Sequence, residues 1–229
     1  MTEFNWCGFE WLSEDSIQDT AGPGSNWWLA KNAYVDSNGK LHLKITHEPN
    51  GKWCCAEAET TTRVRGGTFI WKTTGPLTTL DSYVVLGLFV YPKLGDGKDY
   101  DGLHEIDATE WARWRNPANP PGNYTVYSSK KRDTSMSLRS NPVFTDSQKR
   151  ATHMLIWKPG TSVEFFTWDG HDISKTPIFQ QKIRWPQVSS VSMPIFMNLW
   201  MQSRTAWGNN HPENNMPVEI VVDEFKYTR

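Results

Sequence analysis

The sequence is poor in the features that announce many protein classes. Cysteine is scarce: Cys7, Cys54 and Cys55 are the whole supply in 229 residues. An odd count leaves at least one thiol unpaired within the chain. Cys7 would reach Cys54 or Cys55 if the N-terminal segment returned beside that strand, and three unpaired core thiols fit equally well. No Cys-x-x-Cys or Cys/His spacing suggests a structural zinc, so no metal site is expected from these residues. No run approaches the roughly 18 apolar residues of a membrane helix; YVVLGLFVYP (Tyr83–Pro92) comes nearest and is strand-sized. Nothing at Met1 resembles a signal peptide, which leaves a cytoplasmic protein or a chain that begins after a removed signal. Charge of one sign is also lacking. The 24 Lys and Arg balance 25 Asp and Glu, giving a net charge of −1, so neither nucleic acid nor an acidic membrane surface is an expected partner. Amphipathic helices of ten or more residues, internal repeats, low-complexity tracts and linkers are all missing, and one domain over residues 1–229 is expected.

What is abundant is tryptophan, 13 residues, and a β pattern. KLHLKIT (Lys40–Thr46) alternates polar and apolar after the turn DSNG (Asp36–Gly39). GGTFIWKTT (Gly66–Thr74), NYTVYSS (Asn123–Ser129), ATHMLIWKP (Ala151–Pro159), SVEFFTWDG (Ser162–Gly170), MPIFMNLWMQ (Met193–Gln202) and PVEIVVDEFKYTR (Pro217–Arg229) continue the series, with KPGT as a hairpin turn. Many strands at short spacing predict an all-β sandwich or jelly roll. Some of the tryptophans then belong to its core. Others can serve as platforms for the apolar face of a sugar ring.

One strand carries an anomaly. HEIDATEWARW (His104–Trp114) holds Glu105, Asp107 and Glu110 within six residues. Glu105 and Asp107, two apart, share a strand face, but Glu110 arrives one residue late and should point to the other side. A β-bulge between them returns Glu110 to the acid face. The set then has a chemical use. Retaining glycosidases need two carboxyl groups about 5–5.5 Å apart, one as nucleophile and one as acid/base. Crowding of like charges raises the pKa of at least one of them, as a general acid needs. The bland alternative is a solvated strand face, against which the core-facing Ile106 and the flanking Trp111 and Trp114 argue. Trp111 and Trp114 are candidate sugar platforms, as is Trp200 on NLWMQ, and Arg113 is a candidate for sugar hydroxyls.

EIDATE resembles the bulged E-x-D-x-x-E motif of family 16 glycoside hydrolases, the laminarinase and lichenase group. KNAYVDSNGKLHLKI (Lys31–Ile45), VVLGLFVYP, THMLIWKPGTSVEFFTWDG (Thr152–Gly170), MPIFMNLW and VVDEFKYTR are similar to other segments of that family in the same order. The resemblance implies a concanavalin A-like jelly roll of two antiparallel sheets with a sugar cleft on the concave one. It implies Glu105 as nucleophile, Asp107 as the assisting acid and Glu110 as the general acid/base. The expected substrate is a polysaccharide, first a β-1,3- or β-1,3-1,4-glucan, cleaved internally by a monomer without a cofactor outside the cell or in the periplasm. Asn32 matches a cleft Asn of the family and Tyr127 stands near a position where many members have His. Asp223 resembles a position that binds structural calcium in some members. The chain departs from the family where SYVVLG offers only Tyr83 as an aromatic, and where Lys72 replaces an Arg. A lectin-like module that binds sugar without turnover is the competing expectation. His104 and His153 are expected in the core, and NYT (Asn123–Thr125) fits a glycosylation sequon.

Overall fold

The computed structural model describes residues 1–92, 100, 102–203 and 210–229. Strand alternation read from the sequence becomes alternation of burial. In Leu41–His47, Leu41, Leu43 and Ile45 are fully buried and the residues between them are not. The described residues form β1 (Thr2–Trp6), β2 (Phe9–Ser13), β3 (Trp27–Trp28), β4 (Ala33–Val35), β5 (Leu41–His47), β6 (Trp53–Thr60), β7 (Gly67–Thr74), β8 (Val84–Val90), β9 (Ile106–Trp111), β10 (Gly122–Tyr127), β11 (Ser135–Ser140), β12 (Arg150–Lys158), β13 (Ser162–Asp169), β14 (Phe179–Arg184), β15 (Ile195–Met201) and β16 (Val218–Thr228). Helix is confined to two 3-10 turns, Ala30–Asn32 and Leu77–Thr79. No helix among the described residues is long and apolar enough to cross a membrane.

The strands run in the order β11-β10-β9-β8-β15-β6-β5-β16-β7-β12-β13-β14, with β2 beside β6, β1 beside β2, and β4 beside β5. All these neighbours are antiparallel; only the short β3 lies parallel, on β6. The path folds over at β5–β6, where just two residue pairs, Thr46 with Cys54 and His47 with Trp53, hold the ladder. On one side of that fold lies the layer from β11 to β6, and on the other the layer from β5 to β14. This is the expected all-β, concanavalin A-like jelly roll.

One hydrophobic cluster fills the space between the layers, drawing Leu86, Ile106 and Tyr124 from one and Phe69, Trp71, Leu155 and Trp157 from the other. Burying each such aliphatic or aromatic side chain contributes about 1.5–3 kcal/mol. The core also absorbs most of the tryptophan excess: Trp6, Trp11, Trp28, Trp71, Trp111, Trp157, Trp168 and Trp200 are all buried. The predicted turns have their expected chemistry. Gly160 takes φ +65° in the β12–β13 hairpin, and Asp36 Oδ1 accepts from the Asn38 and Lys40 amides ahead of β5. All three cysteines are free, Cys7 exposed and Cys54 and Cys55 buried. His104 and His153 are buried, as expected. The sequon is closed by the fold: Asn123 is 5% exposed and its Nδ2 donates to the carbonyls of Glu110, Ala112 and Pro121.

Candidate active site

β9 lies between β8 and β10, and its register slips once against both. Leu88 pairs with Thr109, but the next residue, Phe89, pairs with Asp107. On the other side Asn123 pairs with Glu110 and Thr125 with Asp107, so β9 carries one residue more than either neighbour. This is the bulge that the acid spacing requires. Ile106, Ala108 and Trp111 point into the core, while Asp107 and Glu110, three apart, face the same cleft together with Glu105. The slip leaves a mark below the floor. The Thr109 hydroxyl is fully buried and has no hydrogen-bond partner.

The cleft has a volume of about 780 Å³ and runs across the strands of this layer. Its floor is built of cross-strand rows. In one, Asp107 pairs with Phe89, Phe89 with Phe196, and Phe196 with Glu59. The Phe89 and Phe196 rings stack at 5.0 Å, with Tyr91 edge-on to Phe196 at 6.2 Å. In the next row, Glu110 pairs with Gly87, Gly87 with Asn198, and Asn198 with Glu57. Asn198 Nδ2 donates to Glu57 Oε2 at 3.0 Å, and its Oδ1 lies over Gly87 without a partner. A Cβ at Gly87 would stand 2.3 Å from that oxygen, so the row tolerates only glycine there without moving Asn198.

Burial acts on two of the three acids. Asp107 is 2% exposed. Burial first, then the charges of Glu105 and Glu110 and a hydrogen bond to Glu105, hold its carboxyl well above the usual range. Asp107 therefore keeps a proton and donates it toward Glu105. Burial pushes Glu110 up to about 7. Tyr127 beside them is raised as well, by burial first and then by the acidic groups around it, so its phenol stays protonated.

The other expected site residues divide. Trp200 and Tyr127 line the cleft. Trp111 does not: it is 1% exposed, its Nε1 donates to the Leu77 carbonyl, and it packs on Phe144 and His153 in the core. The bulge that returns Glu110 to the cleft is what sends Trp111 the other way. Trp114 packs half-buried against the core with φ +51°, outside the cleft lining. Arg113 is a loop clasp, donating to the carbonyls of Pro117, Asn119 and Thr78. Asn32 is buried and ties its 3-10 turn to β5 and β6 through Thr46 Oγ1 and the Cys54 carbonyl. Asp223, bulged out of β16, accepts from Lys40 Nζ and the Thr74 hydroxyl. Among the described residues no group of three or more His, Cys, Asp or Glu is placed to hold a metal ion. Glu57, Glu59, Phe89, Phe196 and Asn198 belong to the cleft although motif reading passes over them. The alternation of AEAET (Ala56–Thr60) is the signal that would have found the two glutamates.

No family model matches the sequence, and neither does any curated protein. Solved structures do match in shape. A Bacillus licheniformis β-glucanase superposes over 96% of this chain and 92% of its own, with a TM-score of 0.70 at 18% identity. A prokaryotic β-1,3-1,4-glucanase (lichenase) from a mouse hindgut metagenome covers 95% and 92%, with a TM-score of 0.67 at 17% identity. A laminarinase from Flavobacterium sp. UMI-01 covers 96% and 93%, with a TM-score of 0.66 at 11% identity. The chain has the jelly-roll fold of the β-glucanase, lichenase and laminarinase structures, the group its acid motif resembles.

Proposed function

We propose that the protein is a retaining glycoside hydrolase that cleaves internal bonds of a β-1,3- or β-1,3-1,4-glucan. The observation that carries this reading is the bulge in β9, which gathers three carboxyl groups on one cleft floor where burial raises Asp107 and Glu110. Structural neighbours that are β-glucanases and a laminarinase make these glucans the first substrates to try. The lining favours an uncharged polymer. Among the described residues it holds seven carboxyl groups, Glu14, Glu57, Glu59, Glu105, Asp107, Glu110 and Asp133, and no basic side chain. Phe89, Phe196 and Trp200 give the lining apolar aromatic surface suited to the apolar side of a sugar.

In this reading Glu105 attacks the anomeric carbon as Glu110 gives its proton to the departing glycosidic oxygen. That step leaves a glycosyl ester on Glu105 and a carboxylate on Glu110. Glu110 then takes a proton from water, the water oxygen attacks the anomeric carbon, and Glu105 departs as a carboxylate, with net retention of configuration. Asp107, holding its own proton against Glu105, steadies that carboxylate before attack and as it leaves. With a pKa of about 7, Glu110 is poised to act as acid and then as base near neutral pH.

The test is release of reducing ends from laminarin, lichenan, xyloglucan, agarose, carrageenan and chitin by the wild type and by Glu105→Gln. The wild type should cut laminarin or lichenan, and the variant should lose that activity while its unfolding curve stays cooperative. Equal turnover by Glu105→Gln, or wild-type binding without turnover of any polymer, defeats the reading.

A further inference from the structure

The backbone immediately before Glu105 is unusual. His104 has φ +70°, a left-handed conformation that a residue with a Cβ seldom takes. Across it the Glu105 amide donates back to the Leu103 carbonyl at 2.9 Å. A hydrogen bond from residue i+2 to residue i over a positive-φ centre is the rare, strained kind of γ-turn. The amide of Glu105 is therefore spent on the turn, and only its carbonyl joins a strand, accepting from the Tyr127 amide at 2.8 Å. Such strain persists only where surrounding structure fixes it. Here it is fixed from several sides. The His104 amide donates to the Ser128 carbonyl at 3.0 Å. The imidazole is 7% exposed, hydrogen-bonds the Ser189 hydroxyl through Nδ1 at 3.2 Å, and meets the Tyr100 ring edge-on at 4.9 Å.

We propose that His104 is a positioning residue: a side chain that accepts the left-handed backbone keeps the γ-turn that aims the Glu105 carboxyl at Asp107 and into the cleft, and the burial of its ring adds to that hold. The ring does not line the cleft. Its role is to hold a left-handed backbone that returns the chain abruptly into β9, so that Glu105 sits above Asp107 at the mouth of the bulged strand. Strand alternation alone puts Glu105 on the face of Asp107; the turn fixes the angle and height at which its carboxyl meets that of Asp107. Misplacement of a reacting group by about 1 Å is enough to lower a rate about a hundredfold.

The inference rests on the hydrolase reading for its consequence, but the positioning itself is measurable without turnover. The variants are His104→Val, whose β-branched side chain opposes positive φ, and His104→Asn, which accepts it. Isotope-edited NMR of the Asp107 carboxyl reads the Glu105 contact directly. In His104→Val the Asp107 pKa should fall by half a unit or more, because it loses the hydrogen bond and the neighbouring charge of Glu105. In His104→Asn it should return toward the wild-type value. On a polymer that the wild type cuts, His104→Val should lower kcat about a hundredfold with KM within threefold, and His104→Asn should recover at least tenfold of that loss. An unmoved Asp107 titration in a folded His104→Val protein overturns the inference, whatever the activity. So does a loss of rate that only follows the folded fraction in urea, or an Asn variant no better than Val. A wild type that cuts nothing while Asp107 responds as stated defeats the hydrolase reading and leaves the positioning intact.

Discussion

Replacing Glu110 by Gln should remove activity and, above neutral pH, stabilise the protein. In the unfolded chain Glu110 titrates near its ordinary value of 4.5, and in the folded chain near 7, with burial as the cause. Between those values the folded state holds a proton that the unfolded state has released, so stability falls as pH rises through the window. The penalty is complete above pH 7, and 2.5 units correspond to about 3 kcal/mol. Gln has nearly the same shape and never ionises. The stability difference, variant minus wild type, should therefore be small at pH 4.5 and grow by about 3 kcal/mol by pH 8. Loss of the Glu110 charge also relieves Asp107, which acts in the same direction. Other acids do not confuse the comparison. Asp36 and Asp146 are lowered to about 2, by hydrogen bonds from the Lys40 amide and from Arg150, and they titrate identically in both proteins. The assay is urea unfolding followed by circular dichroism at half-unit steps from pH 4.5 to 8.5. Reducing-end release on the same samples should fall by at least a hundredfold, in the range expected for a lost general acid. Parallel pH–stability curves for the two proteins would refute the buried, proton-holding Glu110 described above.

Two further substitutions test the floor. Thr109→Val swaps a fully buried, unpartnered hydroxyl for a methyl of the same shape and should stabilise the fold by about 1 kcal/mol in urea; a loss of stability would mean that the hydroxyl has a partner. Gly87→Ala drives a Cβ to 2.3 Å from Asn198 Oδ1 and should cost about 1–3 kcal/mol, with weaker substrate binding because Asn198 must leave Glu57. Unchanged stability and KM in Gly87→Ala would show that the row is looser than its geometry implies.

The jelly roll was legible because its strands are long, alternating and separated by turns with specific residues, as in Leu41–His47 and the Lys158–Ser162 hairpin. β6 was not. WCCAEAET lacks β-branched residues until its last position, and Ala and Glu are weak strand formers, so its place is set by β15 and β2 rather than by its own composition. The N-terminal hairpin Thr2–Ser13 hid behind a two-residue Cys7–Gly8 turn with φ +47° and +80°, an arrangement usually signalled by Asn-Gly. In the site, the acid spacing revealed the bulge because side-chain direction alternates strictly along a strand. Trp111 was misjudged as a platform for the same reason. Trp111 follows Glu110, and once Glu110 faces the cleft Trp111 must face the core. Arg113 and Trp114 lie past the end of β9, where loop hydrogen bonds decide direction and no period helps. Phe89 and Phe196 come from strands whose both faces are largely buried, so their runs of apolar residues carry no face information.

Glu105 as nucleophile and Glu110 as acid/base on one face of a bulged strand would fix the stereochemistry of the product. The most direct measurement is the anomeric configuration of the first product, followed by proton NMR while the wild type cuts a β-1,3-1,4-glucan faster than the sugar mutarotates. Two carboxyl groups acting through a glycosyl ester on Glu105 release the β-anomer first, with α appearing later by mutarotation. Initial release of the α-anomer would mean direct attack by water, and would contradict Glu105 as the nucleophile.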